Sequence, residues 1–176
     1  MNRFRCRVLI VALSLAAWSW LPAHADPEFE RVNQLRLQAG LTGFARDEQL
    51  HAAASLHAAY LDRHREPGIA AHGLSAHQQE LGLEGYSGET PADRALAAGY
   101  PHREVLENVS MGYADAESAL SGLMSAIYHR LTFLDFEADR MGVAVGERSR
   151  VFLLGRADIA ALCRSPPQDA LLRQPV

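Results

Sequence analysis

The chain has 176 residues, of which 48% are apolar and 22% are charged, and its 17 basic residues are all arginine. This proportion of apolar residues is typical of a folded protein and excludes disorder over most of the length. A chain of this length suits one domain of ordinary size.

The first 25 residues have the layout of a secretory signal peptide. Three arginines within the first seven residues precede an apolar stretch at 8–21, and Ala-His-Ala stands directly before Asp26. Small residues at these positions are typical of a signal-peptidase site. The apolar stretch is shorter than the roughly 20 residues that a membrane-spanning helix needs. We therefore predict cleavage after residue 25 and an extracytoplasmic protein, periplasmic or secreted, with no membrane span after cleavage.

The predicted mature chain is acidic. In 26–176, 14 arginines stand against 21 acidic residues, which gives a net charge of −7. Such a surface offers no electrostatic attraction for nucleic acid and no polybasic patch for anionic lipid. Cys163 is the single cysteine of this part, so no internal disulfide can form. We expect one domain at 26–164, stabilised by its packed core, and a loose C-terminal tail at 165–176.

The predicted elements begin with two helices and a long loop. Asp26, followed by proline, is a typical helix start, and Gly40 is a typical stop. Asp47 caps a second helix, in which apolar residues recur at helical spacing up to Leu61. The loop at 65–88 is rich in glycine and proline. Loops of this length in compact domains are usually functional or disordered.

The second half predicts two helices and three strands. Thr90, followed by proline, predicts the start of a third helix that ends near Gly99. A short strand is expected at 105–111, and Asp115 caps a fourth helix with one apolar face. Two strands around a turn form a hairpin at 141–154. The order of elements predicts a mixed α/β fold with an antiparallel sheet near its end.

Three histidines lie on the predicted second helix, but their spacing does not suit a metal site. Six residues turn a helix by about 600°, so His51 and His57 point in different directions. His57 and His64 share a face but are separated by about 10 Å along the axis. One ion cannot hold two such ligands at about 2 Å each. The spacing therefore predicts three surface histidines.

Glu107 and His129 are stronger candidates for a functional site. Glu107 lies in the short predicted strand, where a buried carboxylate is costly unless it is paired. A histidine partner would satisfy it and fix one imidazole tautomer. His129 lies at the end of the predicted fourth helix, where its charge would be stabilised by the helix dipole. Spacing alone favours the plainer alternatives, an exposed Glu107 and a helix-end cation at His129.

Several short motifs occur in a fixed order along 28–157. They are Arg31-Val32-Asn33-Gln34-Leu35-Arg36 with Gly40-Leu41, Leu50 and Ala53 with His57-Ala58, Ala76-His77-Gln78-Gln79-Glu80, the run 85–95, Glu107-Asn108, 126–130 and 141–145. Together they resemble the CAP superfamily in its bacterial form. That superfamily includes cysteine-rich secretory proteins, antigen five and pathogenesis-related one.

The resemblance implies a three-layer α-β-α sandwich with a small, mainly antiparallel sheet. It also implies a cleft lined by two histidines and two acidic residues, which in some members binds a divalent cation such as zinc. The matching positions are His77 and His129 as metal ligands and Glu107 as a cleft acid or a residue that supports the ligands. His72 competes with His77 for the first position.

The second acidic residue departs from the family pattern. The corresponding segment, 121–125, contains no carboxylate. We consider Glu80 as the residue that takes the place of this second acid in the cleft.

Three functions are compatible with this resemblance. The first is a binding module whose His/Glu cleft holds a divalent cation next to a groove for a small-molecule, lipid or protein ligand. The second is a metal-dependent hydrolase acting on peptide or cell-envelope substrates, with Glu107 as base on a metal-bound water. The third is a domain with a vestigial cleft. The incomplete acidic pair and the absence of a Gly-x-Ser-x-Gly motif favour the binding module.

Overall fold

The computed structural model describes residues 26–64 and 75–164. The predicted signal peptide, the predicted tail and the loop segment 65–74, which contains His72, lie outside the described residues.

Helices and a four-stranded sheet make up the described part. The helices are α1 (Pro27–Gln38), α2 (Glu48–His64), α3 (Pro91–Ala97), α4 (Ala116–Ser125), α5 (Ile127–Phe133) and α6 (Ala157–Arg164). The strands are β1 (Ala45–Arg46), β2 (Leu106–Met111), β3 (Arg140–Val145) and β4 (Ser149–Gly155). The sheet order is β1-β3-β4-β2, with β1 parallel to β3 and the other pairs antiparallel. The predicted α/β class and mainly antiparallel sheet are confirmed.

Hydrogen bonds confirm the helix starts that the sequence predicted. Asp26, Asp47 and Asp115 each accept backbone N–H groups of the first helical turn at 2.8–3.1 Å. At the start of α3, Thr90 and Asp93 form a reciprocal capping box, in which each side chain accepts the other's backbone N–H. Four helices therefore begin where short-range capping groups place them.

The sheet separates two apolar layers. On one face, α1, α4 and α5 pack on the sheet through a cluster that includes Phe29, Leu120, Phe133, Met141 and Phe152. On the other face, α2, α3 and α6 pack through a cluster that includes Leu50, Leu61, Ala95, Val151, Leu153 and Ala160. Successive residues of a strand point to opposite faces, so Phe152 and Leu153 belong to different clusters. This arrangement is consistent with the predicted α-β-α sandwich.

The fourth predicted helix is in fact two helices. Ala126 is extended, with φ −88° and ψ 121°, so α4 ends at Ser125 and α5 begins at Ile127. His129 is consequently the third residue of α5 and lies in its first turn, so the prediction that it lies at the C-terminal end of a helix is wrong. Apolar residues continue through the break at a spacing close to helical, so the periodicity of the sequence predicts one helix instead of two.

Two elements were not predicted. The strand β1 has only two residues and exists through its pairing with Arg140 and Met141 on β3. The helix α6 begins directly after β4 and packs on the second cluster through Ala160. Within the two described ranges, no helix has the length and apolar character needed to cross a membrane.

Candidate functional site

Glu107 is held inside the domain by β2, a strand at the edge of the sheet. Its side chain is 2% exposed, so the alternative of an exposed strand residue is wrong. It points to the layer that contains α2 and α3, whereas its neighbour Asn108 points to the opposite layer. A buried carboxylate requires charged or hydrogen-bonding partners, and these partners define the candidate site.

Arg94 on α3 is the strongest of these partners. Its Nη2 donates to both carboxylate oxygens of Glu107, at 2.9 and 2.7 Å, and its side chain is fully buried. Its Nη1 lies 3.2–3.4 Å from the backbone oxygens of His77, Gly88 and Glu89. Arg94 therefore ties the loop that carries His77 to the strand that carries Glu107. No pattern in the sequence singles out Arg94, although it lies in the run 85–95 that carries the resemblance.

His77 contacts the same carboxylate from the loop. Its Nδ1 lies 3.0 Å from Glu107 Oε1, and its side chain is 37% exposed. Because a carboxylate is an acceptor only, Nδ1 carries the proton. In the neutral imidazole, the lone pair then belongs to Nε2. The pair His77–Glu107 thus presents one basic nitrogen on a half-exposed side chain.

The Glu107 carboxyl is ionised in this environment. Burial acts to raise its pKa, but the hydrogen bond from His77 and the nearby His57 and Arg94 outweigh it, and the pKa is lowered below its ordinary value. The carboxylate is therefore a permanent negative charge at neutral pH, and Arg94 neutralises it.

His57 lies beneath this pair, and the prediction that it is a surface residue is wrong. Its side chain is fully buried, with Nε2 2.9 Å from Ala76 O and Nδ1 3.0 Å from Gln79 Nε2. The loop that follows residue 75 covers this face of α2, which helical spacing alone does not reveal. Burial lowers the pKa of His57 to about 4, although Glu107 acts to raise it. His57 is thus neutral, donating through Nε2 and accepting through Nδ1.

His129 is connected to β2 through a different residue. Asn108 Nδ2 donates to the backbone oxygen of His129 at 2.8 Å. The half-buried imidazole makes no hydrogen bond or ion pair with Glu107 or His77 among the described residues. The convergence of His77 with His129 stays a prediction, while the contact of His77 with Glu107 is present in the structure.

Glu80 lies in the same loop as His77, three residues further along the chain. The backbone N–H of Glu80 donates to the hydroxyl of Tyr60 at 3.0 Å, which anchors the loop on α2. Its side chain is half-buried. His72 lies in the segment outside the described residues, so its competition with His77 stays open.

The sequence profile of the CAP, cysteine-rich secretory protein family matches residues 29–153, which span the site and both layers of the core. The chain belongs to this family. A search of curated proteins found no significant match.

Solved structures share the CAP fold. An extracellular protein containing an SCP domain from Bacillus anthracis str. Ames is 20% identical with a TM-score of 0.60, over 74% of this chain and 39% of that chain. An outer surface protein from Borrelia burgdorferi is 16% identical with a TM-score of 0.55, over 73% and 88%. A cysteine-rich secretory protein from Staphylococcus aureus subsp. aureus Mu50 is 16% identical with a TM-score of 0.52, over 73% and 37%. The present chain thus covers less than half the length of the Bacillus anthracis and Staphylococcus aureus chains.

The donor atoms of this CAP domain fit a metal only in part. Within 26–64 and 75–164, no group of three or more His, Cys, Asp or Glu side chains is arranged to hold a metal ion. The Glu107 oxygens are already engaged by Arg94 and His77. His77 Nε2, in contrast, has the chemistry of a nitrogen ligand. The described residues therefore offer an oriented imidazole rather than a complete coordination shell.

Proposed function

We propose that this CAP domain is an extracytoplasmic binding module that uses His77 as its central binding group. The observation that carries the proposal is the 3.0 Å contact between His77 Nδ1 and Glu107 Oε1. Metal-binding histidines commonly donate their second ring N–H to a carboxylate, which fixes the tautomer and the ring orientation. Arg94 keeps that carboxylate in place, so the imidazole is oriented before any ligand arrives.

The proposed cation is zinc, with His77 and His129 as its protein ligands. Imidazole nitrogens suit zinc, and open sites leave positions for water or an incoming ligand. Because the described residues supply no third donor, we expect an affinity well below that of a closed structural site. A cation held in this way would act as a contact point for an anionic or carbonyl group of the ligand.

The geometry favours this function over a hydrolase. A hydrolase of the kind considered above would use Glu107 as a general base, and a base must be able to reach the proton that it removes. Both oxygens of Glu107 instead bind Arg94, and the pKa of the carboxyl is lowered. Glu107 is therefore assigned the role of orienting His77.

The location outside the cytoplasm is supported by the predicted signal peptide and by the extracellular and outer-surface relatives with the same fold.

The test is a zinc titration by calorimetry on the purified protein and on a His77→Ala, His129→Ala double variant. We expect the wild type to bind near one equivalent and the double variant to lose at least about tenfold in affinity. The matched control is His64→Ala, because this histidine bonds Glu84 O at the far end of α2. The control should bind zinc as the wild type does, and thermal unfolding should show that all three proteins are folded.

Absence of binding in the wild type would contradict the proposed cation site, as would equal binding in the double variant. The vestigial cleft would then be the better description. A loss in the His64→Ala control of the same size would assign the binding to surface histidines and would also contradict the proposal.

A further inference from the structure

The sheet ends on one side at β2, and no other strand of the described chain pairs with its outer edge. The backbone N–H of Gly112 donates to Arg148 O at 2.7 Å, on the side of β4. Backbone groups of successive residues alternate between the two sides of an antiparallel strand. The N–H and C=O groups of Glu107, Val109 and Met111 therefore point away from β4. We call these groups the β2 edge.

The β2 edge is open to pairing. None of its backbone groups has a hydrogen-bond partner among the described residues, whereas on the other side of the sheet Val143 O already lies 2.6 Å from His51 Nδ1. The side chain of Glu107 is 2% exposed, yet the residue as a whole is half-buried, so its exposed part is the backbone. Free backbone groups at a strand edge are a template for another extended chain.

The β2 edge is continuous with the candidate site. On one face of the sheet, His77 Nδ1 bonds the side chain of Glu107. On the other face, Asn108 Nδ2 bonds the backbone oxygen of His129. The loop that carries His77 and the helix α5 therefore flank β2 near its start. A single extended chain fits between these two walls, whereas a second copy of the domain would bring its own loop and α5 against them.

The side chains of β2 indicate which residues such a chain would carry. Val109 and Met111 are half-buried, pack on the second cluster and share a face with Glu107. In an antiparallel pair, residues directly opposite each other have adjacent side chains on the same face. Residues opposite Val109 and Met111 would therefore meet apolar side chains, and the residue opposite Glu107 would meet the imidazole of His77.

Charge complementarity favours an acidic residue opposite Glu107. The charge of Glu107 itself is neutralised by Arg94, and the proposed cation at His77 finds no third protein donor among the described residues. A carboxylate from the ligand would supply that donor, since carboxylate oxygens bind zinc. The acidic preference therefore rests on the proposed function, whereas the pairing with the β2 edge does not.

We propose that the ligand of this domain is an extended peptide segment of another protein, which adds antiparallel to the β2 edge. An acidic residue of the peptide lies opposite Glu107, and apolar residues lie opposite Val109 and Met111. The residue opposite Val109 donates its N–H to Val109 O and accepts the N–H of Val109. Strand addition takes affinity from such main-chain bonds and specificity from alternate side chains.

The first test measures the anisotropy of a fluorescein-labelled peptide amide, Thr-Val-Thr-Val-Thr-Asp-Thr, with the purified protein in EDTA. The antiparallel alignment places its two valines opposite Met111 and Val109 and its aspartate opposite Glu107. N-methylation of the second valine removes the N–H that Val109 O accepts. N-methylation of the preceding threonine, whose N–H points away from β2, is the matched control. We expect the first change to weaken binding about fivefold and the control to bind as the unmodified peptide does.

Variants of the protein test the same bond from the other side. Val109→Pro removes the outward N–H, and proline is tolerated at such edge positions because no internal bond is lost. Val109→Thr keeps the N–H and is the control. We expect Val109→Pro to weaken binding about fivefold and Val109→Thr to bind as the wild type does. Amide exchange should show the peptide protecting the N–H groups of Glu107, Val109 and Met111.

The acidic position is tested with one equivalent of zinc in place of EDTA. The aspartate peptide should then bind about tenfold more tightly than the same peptide with asparagine, because only the carboxylate adds a charged ligand to the cation. In EDTA the two peptides should bind alike. The His77→Ala, His129→Ala variant should lose the gain with zinc and keep the affinity measured in EDTA.

The proposal is overturned if the peptide does not bind at millimolar concentration in EDTA, or if N-methylation of the second valine has no effect. Protection of Val109 that grows with protein concentration in the absence of peptide would assign the β2 edge to a second copy of the chain and overturn it as well. If zinc binds, equal affinities of the aspartate and asparagine peptides would overturn the acidic position. If zinc does not bind while the effect of N-methylation persists, the proposed cation site is contradicted and the pairing with the β2 edge is supported.

Discussion

Burial and neighbouring charges act in opposite directions on the pKa values of Glu107 and His57. Burial disfavours the charged form of both side chains, yet only His57 becomes neutral. Glu107 receives two bonds from Arg94 and one from His77, which compensate the loss of water. His57 is bound to neutral groups of Ala76 and Gln79, so its neutral form is favoured. The neutralised Glu107–Arg94 ion pair and the neutral His57 therefore form the buried support of His77.

The neutral state of His57 predicts acid sensitivity. Its pKa is about 4 in the folded protein against an ordinary value of 6.5. The unfolded chain therefore binds more protons between these values, and the stability that neutral His57 contributes is complete above pH 6.5 and lost as the pH falls towards 4. The difference amounts to about 3 kcal/mol. Urea unfolding at pH 7 and pH 4.5 should show a decrease of this order in the free energy of unfolding.

The variant that isolates this contribution is His57→Gln, which keeps hydrogen-bonding groups but does not titrate. We expect a smaller decrease in stability between pH 7 and pH 4.5 than in the wild type. His64→Gln is the control, since that imidazole lies at the end of α2. A wild-type pH dependence in His57→Gln would show that His57 does not carry the effect.

Among the elements, the short helix α3 supplies the arginine that binds Glu107. It has only seven residues, yet it carries Arg94. An isolated helix this short is unstable in water, so its caps and its packing must hold it. The capping box of Thr90 and Asp93 satisfies backbone N–H groups at its start, and Arg103 adds a 2.6 Å bond to Asp93.

Removal of the helix cap at Thr90 should lower the stability of the protein by a measurable amount. We expect Thr90→Ala to lower the free energy of unfolding by about 1 kcal/mol, because the cap hydroxyl is lost. Thr132→Ala is the control, since the hydroxyl of the half-buried Thr132 bonds Tyr128 O within α5 and caps no helix start. Urea unfolding of both variants at pH 7 provides the comparison. Equal stability of Thr90→Ala and the wild type would mean that the capping box contributes nothing to α3.

At the scale of the whole molecule, the close approach of α2 to β3 holds the layers together. Gly142 on β3 faces the backbone of Leu50 and His51, and an added Cβ would overlap both. The same contact places His51 Nδ1 2.6 Å from Val143 O. The packing of one helix on one strand therefore determines how closely α2 lies on the sheet.

A methyl group at this contact should be strongly destabilising. We expect Gly142→Ala to cost about 3 kcal/mol, because backbone on both sides prevents a local adjustment. Ala52→Ser, on the exposed side of α2, should cost about 0.5 kcal/mol. Thermal and urea unfolding of the two variants would test this, and similar values for both would contradict the role of the α2–β3 contact.

The sequence by itself determined the helix starts, the hairpin and the ordered motifs of the family, because capping and turn formation act between residues a few positions apart. Asp26, Asp47, Thr90 and Asp115 are examples. Glu107 could be singled out as a carboxylate in a predicted strand, whereas His77 could be selected only through the family resemblance.

The tertiary structure decided the partners of those residues. Arg94 and Glu107 are 13 positions apart, and His77 and Glu107 are 30, distances at which spacing along the chain carries no geometric information. The burial of His57 depends on a loop that folds over α2, and β1 exists only through its pairing with β3. These features follow from the packing of segments far apart in sequence, where the free energy of burial and long-range hydrogen bonding, and not local propensity, selects the contacts.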